Sequence, residues 1–444
     1  MPSNAARIAR EVFAAALAEV DVSRVVRRTV RMSDEGLEVA GDTFDVGDPR
    51  RVLVVAIGKA ALPMAFALQR VFDGRGLAVE GVVVSGTRGV VGPPGFTAIA
   101  GGHPIPDAGS LEAGREVLRR VRASDDPDTL IVFAISGGAS AMCECPRSLD
   151  VTLDDLRATN GVLVGCGATI AEVNAIRRRI SAIKGGGLAA AAPRAVQVSL
   201  FVSDVNPGDL ISLGSGLTVA PSDSDVDPLA VLDRHELRAS LPRSVLELVE
   251  RTTALSQWPA RCQYEVLLDN AIACGVAEAV AHQRFDLSVE VVEGLVESPV
   301  EEVAEALVDR LARATDPVCL VSGGEAVCPV RGPGRGGRNT EIALRAAIHL
   351  GRLDTDADLA VLSAGTDGID GNSPAAGAWA DCTTLTRAWV GGMRASRFLA
   401  LSDSYEFFAA LGDTLLTGPT GNNVRDLRIA VAIPPGRSVR RRTD

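Results

Sequence analysis

The sequence predicts an α/β fold in two domains, with an N-terminal doubly wound, Rossmann-like and mainly parallel sheet. Three observations support this. Short Val-, Ile- and Leu-rich runs alternate with helical patterns, the runs close on glycine-rich turns, and 444 residues exceed what one ordinary core holds. We place the domains at 1–240 and 241–444.

An amphipathic helix is expected over 4–29, with Ile8, Val12, Phe13, Leu17 and Val20 on its apolar face. A strand at 52–57, the turn Gly58-Lys59 and a helix over 60–72 make a parallel-sheet βα unit. Further strands follow at 81–84 and 129–135, the latter ending in Ser136-Gly137-Gly138-Ala139-Ser140. A helix at 109–123 lies between them, after the turn-rich Gly101–Asp107. Residues 152–183 read as helical, opened by the capping-box pattern Thr152/Asp155. Their polar side carries Asn174, Arg177, Arg178 and Ser181 toward Lys184-Gly185-Gly186-Gly187, where the helix ends. A strand at 196–202 closes on Ser203-Asp204 and Asp209, and 221–228 reads as a surface loop. Between 240 and 315 we expect two helices around a strand at 287–292. The strand at 317–322 ends in Ser322-Gly323-Gly324-Glu325, and a glycine loop with Arg335 and Arg338-Asn339 precedes a helix reaching 350. A strand at 359–363 closes on Gly365-Thr366-Asp367-Gly368-Ile369-Asp370-Gly371. A helix near 404–411, the loop Gly418–Asn423 and a strand at 427–433 complete a second α/β half.

The formal charge of −11 argues against nucleic acid as a partner. No apolar run has the length of a membrane span, and the N-terminus lacks a signal-peptide pattern, so a cytoplasmic protein is expected. The eight scattered cysteines read as reduced core residues without zinc spacing. The four histidines show neither metal spacing nor a triad arrangement, and His103 reads as structural. Neither a Walker A loop nor a dinucleotide-binding glycine fingerprint is present.

Only two of the 45 basic residues are lysines, Lys59 and Lys184, and both sit beside glycine-rich turns. A lysine is a compact, mobile charge that can follow a phosphoryl group, whereas arginine is a rigid fork. Ser136-Gly-Gly suits an anion cradle, since glycines let backbone N–H groups approach a ligand. Ser322-Gly-Gly-Glu325 has the same pattern. Lys184-Gly-Gly-Gly with Arg177 and Arg178 before it suits phosphate better than a plain helix cap. Asp204, Asp209, Asp367 and Asp370 all end strands in glycine turns, where carboxylates could hold Mg²⁺ or accept a hydroxyl proton. Aspartate is also common in turns for local reasons. Arg335 and Arg338 suit a carboxylate or phosphate.

Taken together, the motifs resemble one family. Ile57-Gly-Lys59-Ala60, Gly102-His-Pro-x-Pro-Asp107, Ser136-Gly-Gly, Asn174-x-x-Arg177-Arg178-x-x-Ser181-x-x-Lys184-Gly-Gly, Ser203-Asp204, Gly336-Gly-Arg338-Asn339-x-Glu341 and Gly365-Thr-Asp367-Gly-Ile-Asp-Gly371 occur in that order. The chain resembles the class II glycerate 2-kinases, whose C-terminal part is called the MOFRL domain. The resemblance implies ATP- and Mg²⁺-dependent phosphorylation of D-glycerate at its 2-hydroxyl, with an active site in the interdomain cleft. It implies Lys59, Asp204, Arg338 and Asp367 as catalytic and substrate-orienting residues, with Asp204 and Asp367 also the candidate metal ligands. Ser136, Gly137, Gly138, Asn174, Arg178, Lys184, Gly185, Gly186 and Asn339 would bind substrate or nucleotide. Which aspartate acts as base and which holds metal stays open, as does a homodimer. The chain departs from the family pattern at Asn372-Ser-Pro374, where an acidic residue is missing, and at Ala139, Ala326 and Cys328. These departures bear on the acceptor, so a related small hydroxy acid is an alternative substrate. The competing readings are an NAD(P)H-dependent hydroxypyruvate reductase and a non-catalytic metabolite-binding protein.

Overall fold

The computed structural model describes residues 2–220, 226–252, 258–293 and 297–441, so 221–225 of the expected surface loop lie outside the described residues. The chain divides into two compact units, Val22–Leu267 and a second formed by Met1–Asp21 with Leu268–Asp444.

The first unit is built on a six-stranded sheet: β1 (Arg51–Ile57), β2 (Val79–Ser85), β3 (Phe96–Ala100), β4 (Thr129–Ser136), β5 (Val196–Val202) and β6 (Cys262–Leu268). Its order is β3-β2-β1-β4-β5-β6, and the pairs β1–β2, β2–β3, β1–β4 and β4–β5 are parallel. The winding reverses between β1 and β4, so the turns at Gly58 and Ser136 border the crevice where doubly wound sheets bind ligands. Strands β4 and β5 are buried along their whole length, which is why they read as unbroken apolar runs. A three-stranded antiparallel ribbon over 30–44 precedes the sheet and was not expected; its strands are only three residues long.

The second unit carries β7 (Ser288–Val291), β8 (Val318–Gly324), β9 (Asp358–Gly365), β10 (Gly377–Asp381), β11 (Thr414–Leu415) and β12 (Asp426–Ile433). They are ordered β7-β8-β12-β9-β10-β11, with β12 antiparallel to both β8 and β9. The first residue of β12, Asp426, therefore pairs with the last residues of its neighbours, Gly324 and Gly365. Sequence reading missed β3, β6, β10 and β11. Between 240 and 315 it also gave two helices where the described residues form three, Arg243–Arg251, Asn270–Phe285 and Val300–Ala312.

The helix expected over 4–29 is two helices, α1 (Asn4–Glu19) and α2 (Val22–Thr29), and the chain passes from one unit to the other between them. Ile8, Val12 and Phe13 of α1 join a core with Phe285, Trp379 and Ile429 of the second unit. The backbone N–H groups of Ser3 and Ala5 donate to the carboxylates of Asp381 and Asp358, at the end of α1 where negative charge is favoured. The compact units thus differ from a division at 240/241 in two places: α1 belongs with the C-terminal sheet, and 241–267 stays with the N-terminal one. Likewise 152–183 is broken into Leu153–Gly165 and α3 (Ile170–Ile180). Among the described residues, no helix is long and apolar enough to cross a membrane. All eight cysteines are free thiols.

Candidate functional site

In the first unit the ends of β1 and β4 are stitched together. Gly58 turns the chain with φ +120°, and a Cβ there would lie 2.4 Å from Ser136 Oγ and 2.5 Å from its carbonyl oxygen. Only glycine permits that approach. Lys59 N–H then donates to the Gly137 carbonyl at 2.9 Å, and Ala60 N–H to Ser136 Oγ at 2.9 Å. Two turns far apart in sequence, joined by a bond that spans 76 residues, thus form one platform, with half-buried Lys59 on it. His103 faces the same platform: a Cβ on Gly138 would approach its Cδ2 to 3.1 Å. Burial and the Lys59 charge together depress the His103 pKa, which favours its neutral form. A single helical turn, Ala139–Met142, follows the Ser-Gly-Gly turn.

Lys184 is buried, with Nζ bonded to the equally buried Glu144 carboxylate. Burial lowers its pKa and Glu144 opposes that fall. Glu144 was not singled out in the sequence, because its partner is 40 residues away. Gly185 and Gly186 have positive φ, but their N–H groups donate to the Ser215 and Gly216 carbonyls at 3.0 and 2.6 Å. What the turn offers a ligand is therefore side-chain charge rather than those amides. Asn174 Oδ1 accepts from Ser215 Oγ at 2.9 Å, which lies 2.9 Å from Ser140 Oγ. Arg178 packs its methylenes against Gly185. A cavity of about 250 Å³ opens beside this group, lined by Gly138, Glu144, Thr159, Asn160, Arg177 and Lys184 among others. Thr159 Oγ1 is buried there without a hydrogen-bond partner. Asp204 follows β5, half-buried.

The second unit gathers charge where β8, β9 and β12 meet. Arg338, the first residue of α4 (Arg338–Leu350), donates from Nε and Nη2 to the two carboxylate oxygens of Asp426 at 2.5 and 3.0 Å. Its Nη2 also reaches Glu325 Oε1 at 3.0 Å. Burial works against the guanidinium charge, but bonding to Asp426 outweighs it and raises the Arg338 pKa. Asn339 is fully engaged, donating to Asp426 Oδ1 at 2.9 Å and accepting from Ser363 Oγ at 2.6 Å. Asp370 anchors the start of α4, accepting from Asn339 N, Thr340 N and Thr340 Oγ1 at 2.7–3.0 Å. A Cβ on Gly337 would sit 2.4 Å from Asp370 Oδ1, so that position also needs glycine. Burial pushes the Asp370 carboxyl up to about 6, against the pull of those donors. Half-buried Asp367 lies on the same loop and accepts from Ile369 N at 3.1 Å. Sequence reasoning missed Asp426. Its only local signal was an acidic residue opening an apolar strand directly after a glycine loop.

The structure thus brings Lys59, Ser136, Gly137 and Gly138 together in one unit, and Arg338 and Asn339 together in the other. Asp209 and Arg335 stay outside these groups: Arg335 pairs with Glu406 and stacks on Tyr405.

Residues 8–250 match a family described as a domain of unknown function, DUF4147, and residues 318–426 match the MOFRL family. A glycerate kinase from Rattus norvegicus is 33% identical, with 96% of this chain and 93% of that protein covered. A D-glycerate 2-kinase from Thermotoga maritima is also 33% identical, over 86% of this chain and 91% of that one. The crystal structure of a glycerate kinase from Thermotoga maritima superposes with a TM-score of 0.83 at 29% identity, covering 96% and 99% of the two chains.

Proposed function

The chain belongs to the glycerate kinase family that joins a DUF4147 region to a MOFRL region, and on that premise we propose that it phosphorylates D-glycerate at the 2-hydroxyl, using ATP. The products are 2-phosphoglycerate and ADP. The observation that carries this reading is the extent of the match: it spans nearly all of both chains, and so includes both loop-bearing units.

In the reaction a new bond forms between the 2-hydroxyl oxygen and the γ-phosphorus as the bond to the β,γ-bridging oxygen breaks. Such transfers are driven by positioning and charge stabilisation more than by covalent chemistry. Lys59, held on the Gly58–Ser136 platform, supplies positive charge to the transferring group. Ser136, Gly137, Gly138, Asn174, Arg178, Lys184, Gly185 and Gly186 shape the nucleotide side, where Arg177 adds charge to the cavity beside Gly138 and Glu144 balances that of Lys184. Arg338 receives the glycerate carboxylate on the end of its guanidinium, because its Nε side is held by Asp426. Asn339 supports it through the same aspartate. Asp204 or Asp367 accepts the hydroxyl proton, and the other assists with metal. Their half-exposed carboxylates are hard oxygen donors of the kind Mg²⁺ prefers, with phosphate oxygens completing its shell. Among the described residues no group of three or more His, Cys, Asp or Glu could hold a metal ion. When bound, Mg²⁺ would neutralise phosphate charge.

An ADP-release assay with D-glycerate and Mg·ATP tests the activity, and absence of turnover with D-glycerate would refute it. In the same assay Lys59→Arg keeps the charge but not the shape, and kcat should drop about tenfold or more. A fully active Lys59→Arg enzyme would remove Lys59 from the mechanism.

A further inference from the structure

Arg338 has two ends that can each bind a carboxylate, and two carboxylates of the chain already touch it. Asp426 takes the Nε–Nη2 side with both oxygens and is fully buried in β12, where it also accepts from Asn339. That contact is fixed. Glu325 takes only the remaining hydrogen of Nη2, through one oxygen at 3.0 Å, and its side chain is 44% exposed. Its backbone, in contrast, is anchored by its neighbours. It follows Gly323 and Gly324, whose carbonyls accept from the buried Arg428 Nη1 and Nη2 at 2.7 and 3.1 Å. Gly323 is also pressed against Asn270, whose Oδ1 would lie 1.7 Å from a Cβ. A partly exposed carboxylate, held by one bond at Nη2, thus stands on an anchored backbone at the end of the guanidinium where an incoming carboxylate would make a two-point contact.

We propose that Glu325 is a placeholder for the substrate carboxylate: it holds the open end of Arg338 in the empty enzyme, and D-glycerate displaces it on binding. This rests on the reading of Arg338 given above and adds a competitor to it. Asp426 is not displaced, since removing its partner would strand a buried charge. An exposed, single-bonded contact such as that of Glu325 is weak enough to exchange. Charge points the same way. Glu325 supplies one of the negative charges that act on Arg338, alongside Asp426 and Asp370, and a monoanionic acid would restore that charge when Glu325 withdraws. As product leaves, Glu325 closes on Arg338 again and limits rebinding of 2-phosphoglycerate.

The test compares Glu325→Gln with the parent enzyme in the ADP-release assay, with direct titration of D-glycerate by calorimetry. Glu325→Gln should lower both KM and Kd for D-glycerate about two- to fivefold, the range of an exposed ion pair. KM for ATP should stay put, and inhibition by 2-phosphoglycerate should strengthen. Glu325→Asp, one methylene shorter, should move glycerate affinity the same way by a smaller factor, and serves if the glutamine variant does not fold. A glycerate KM and Kd that hold or rise in these variants would overturn the proposal, as would a collapse of kcat, which would make Glu325 part of the chemistry. Arg338→Met tests the underlying reading separately. If it leaves glycerate affinity intact, Arg338 is not the carboxylate site, whatever the Glu325 variants do.

Discussion

At Asp370 a single carboxylate decides where two other side chains point. It is buried, accepts three hydrogen bonds from the first turn of α4, and so fixes the helix that starts with Arg338 and Asn339. Its pKa of about 6 lies above that of an aspartate in an unfolded chain, and burial is the cause. The sign follows from linkage. Its titration contributes stability that is fully present below the unfolded value, declines as pH rises toward about 6, and is lost above that. Asp370→Asn removes the titration and at least one of the acceptor contacts, because an amide nitrogen cannot accept. We expect its melting temperature to fall below the parent's at every pH, with the gap narrowing from pH 4 to pH 6 by an amount equivalent to roughly 2–3 kcal/mol. A gap that widened over that interval would show that Asp370 is ionised with a lowered pKa. Lys184 shows the opposite tension. A buried ammonium is tolerable because Glu144 meets it directly, and removing either partner alone would leave a charge stranded.

Strand ends carry the candidate chemistry, and their glycines are where elements meet. At the β1–β4 junction, Gly58 has a conformation that an L side chain adopts only with strain, and backbone and hydroxyl atoms of Ser136 fill the space a methyl would need. Gly58→Ala should therefore force β1 and β4 apart at this edge, costing about 2–4 kcal/mol. It should lower the melting temperature of residues 22–267 and reduce activity together, whereas Gly89→Ala, at positive φ in open space, should cost less. Equal losses from both substitutions would show that backbone conformation alone, and not the contact with Ser136, sets the cost. The core strands and the glycine turns that end them were legible in sequence, because buried parallel strands are continuous apolar runs bounded by glycine. Strand β6 was not. Its exposed Gln263 and Tyr264 and half-buried Glu265 belong to an edge strand, whose pattern lacks the apolar signal of the centre. The ribbon over 30–44 escaped for another reason: three-residue strands are too short to show a period.

On the scale of the whole chain, the first helix folds with the last strands. α1 packs its alanines, Ile8, Val12 and Phe13 into the core of the C-terminal unit, and its amino end rests on Asp358 and Asp381. Phe13 is 2% exposed, so Phe13→Ala should cost about 3–5 kcal/mol. Hydrogen exchange should localise that cost. Amides of 268–444 should exchange faster, and those of β1, β4 and β5 should not. Faster exchange confined to 22–267 would contradict the division into units. Helical periodicity over 4–29 could not reveal this, since it gives an apolar face without saying which sheet covers it. The break at Val20–Asp21 has no glycine or proline to mark it.

The sequence by itself determined the central strands, the glycine turns at their carboxyl ends and the order of the motifs, because each depends on neighbours a few residues apart. From those it also supplied Lys59, Ser136, Lys184, Arg338, Asp204 and Asp367 as candidates. Only the tertiary structure decided what each candidate touches. Glu144 lies 40 residues from Lys184, and Asp426 lies 88 residues from Arg338, so no local spacing encodes either pair. An antiparallel strand inserted between two parallel ones carries Asp426 to the edge where β8 and β9 end. That placement makes Arg338 a fork with one end held and the other open to exchange.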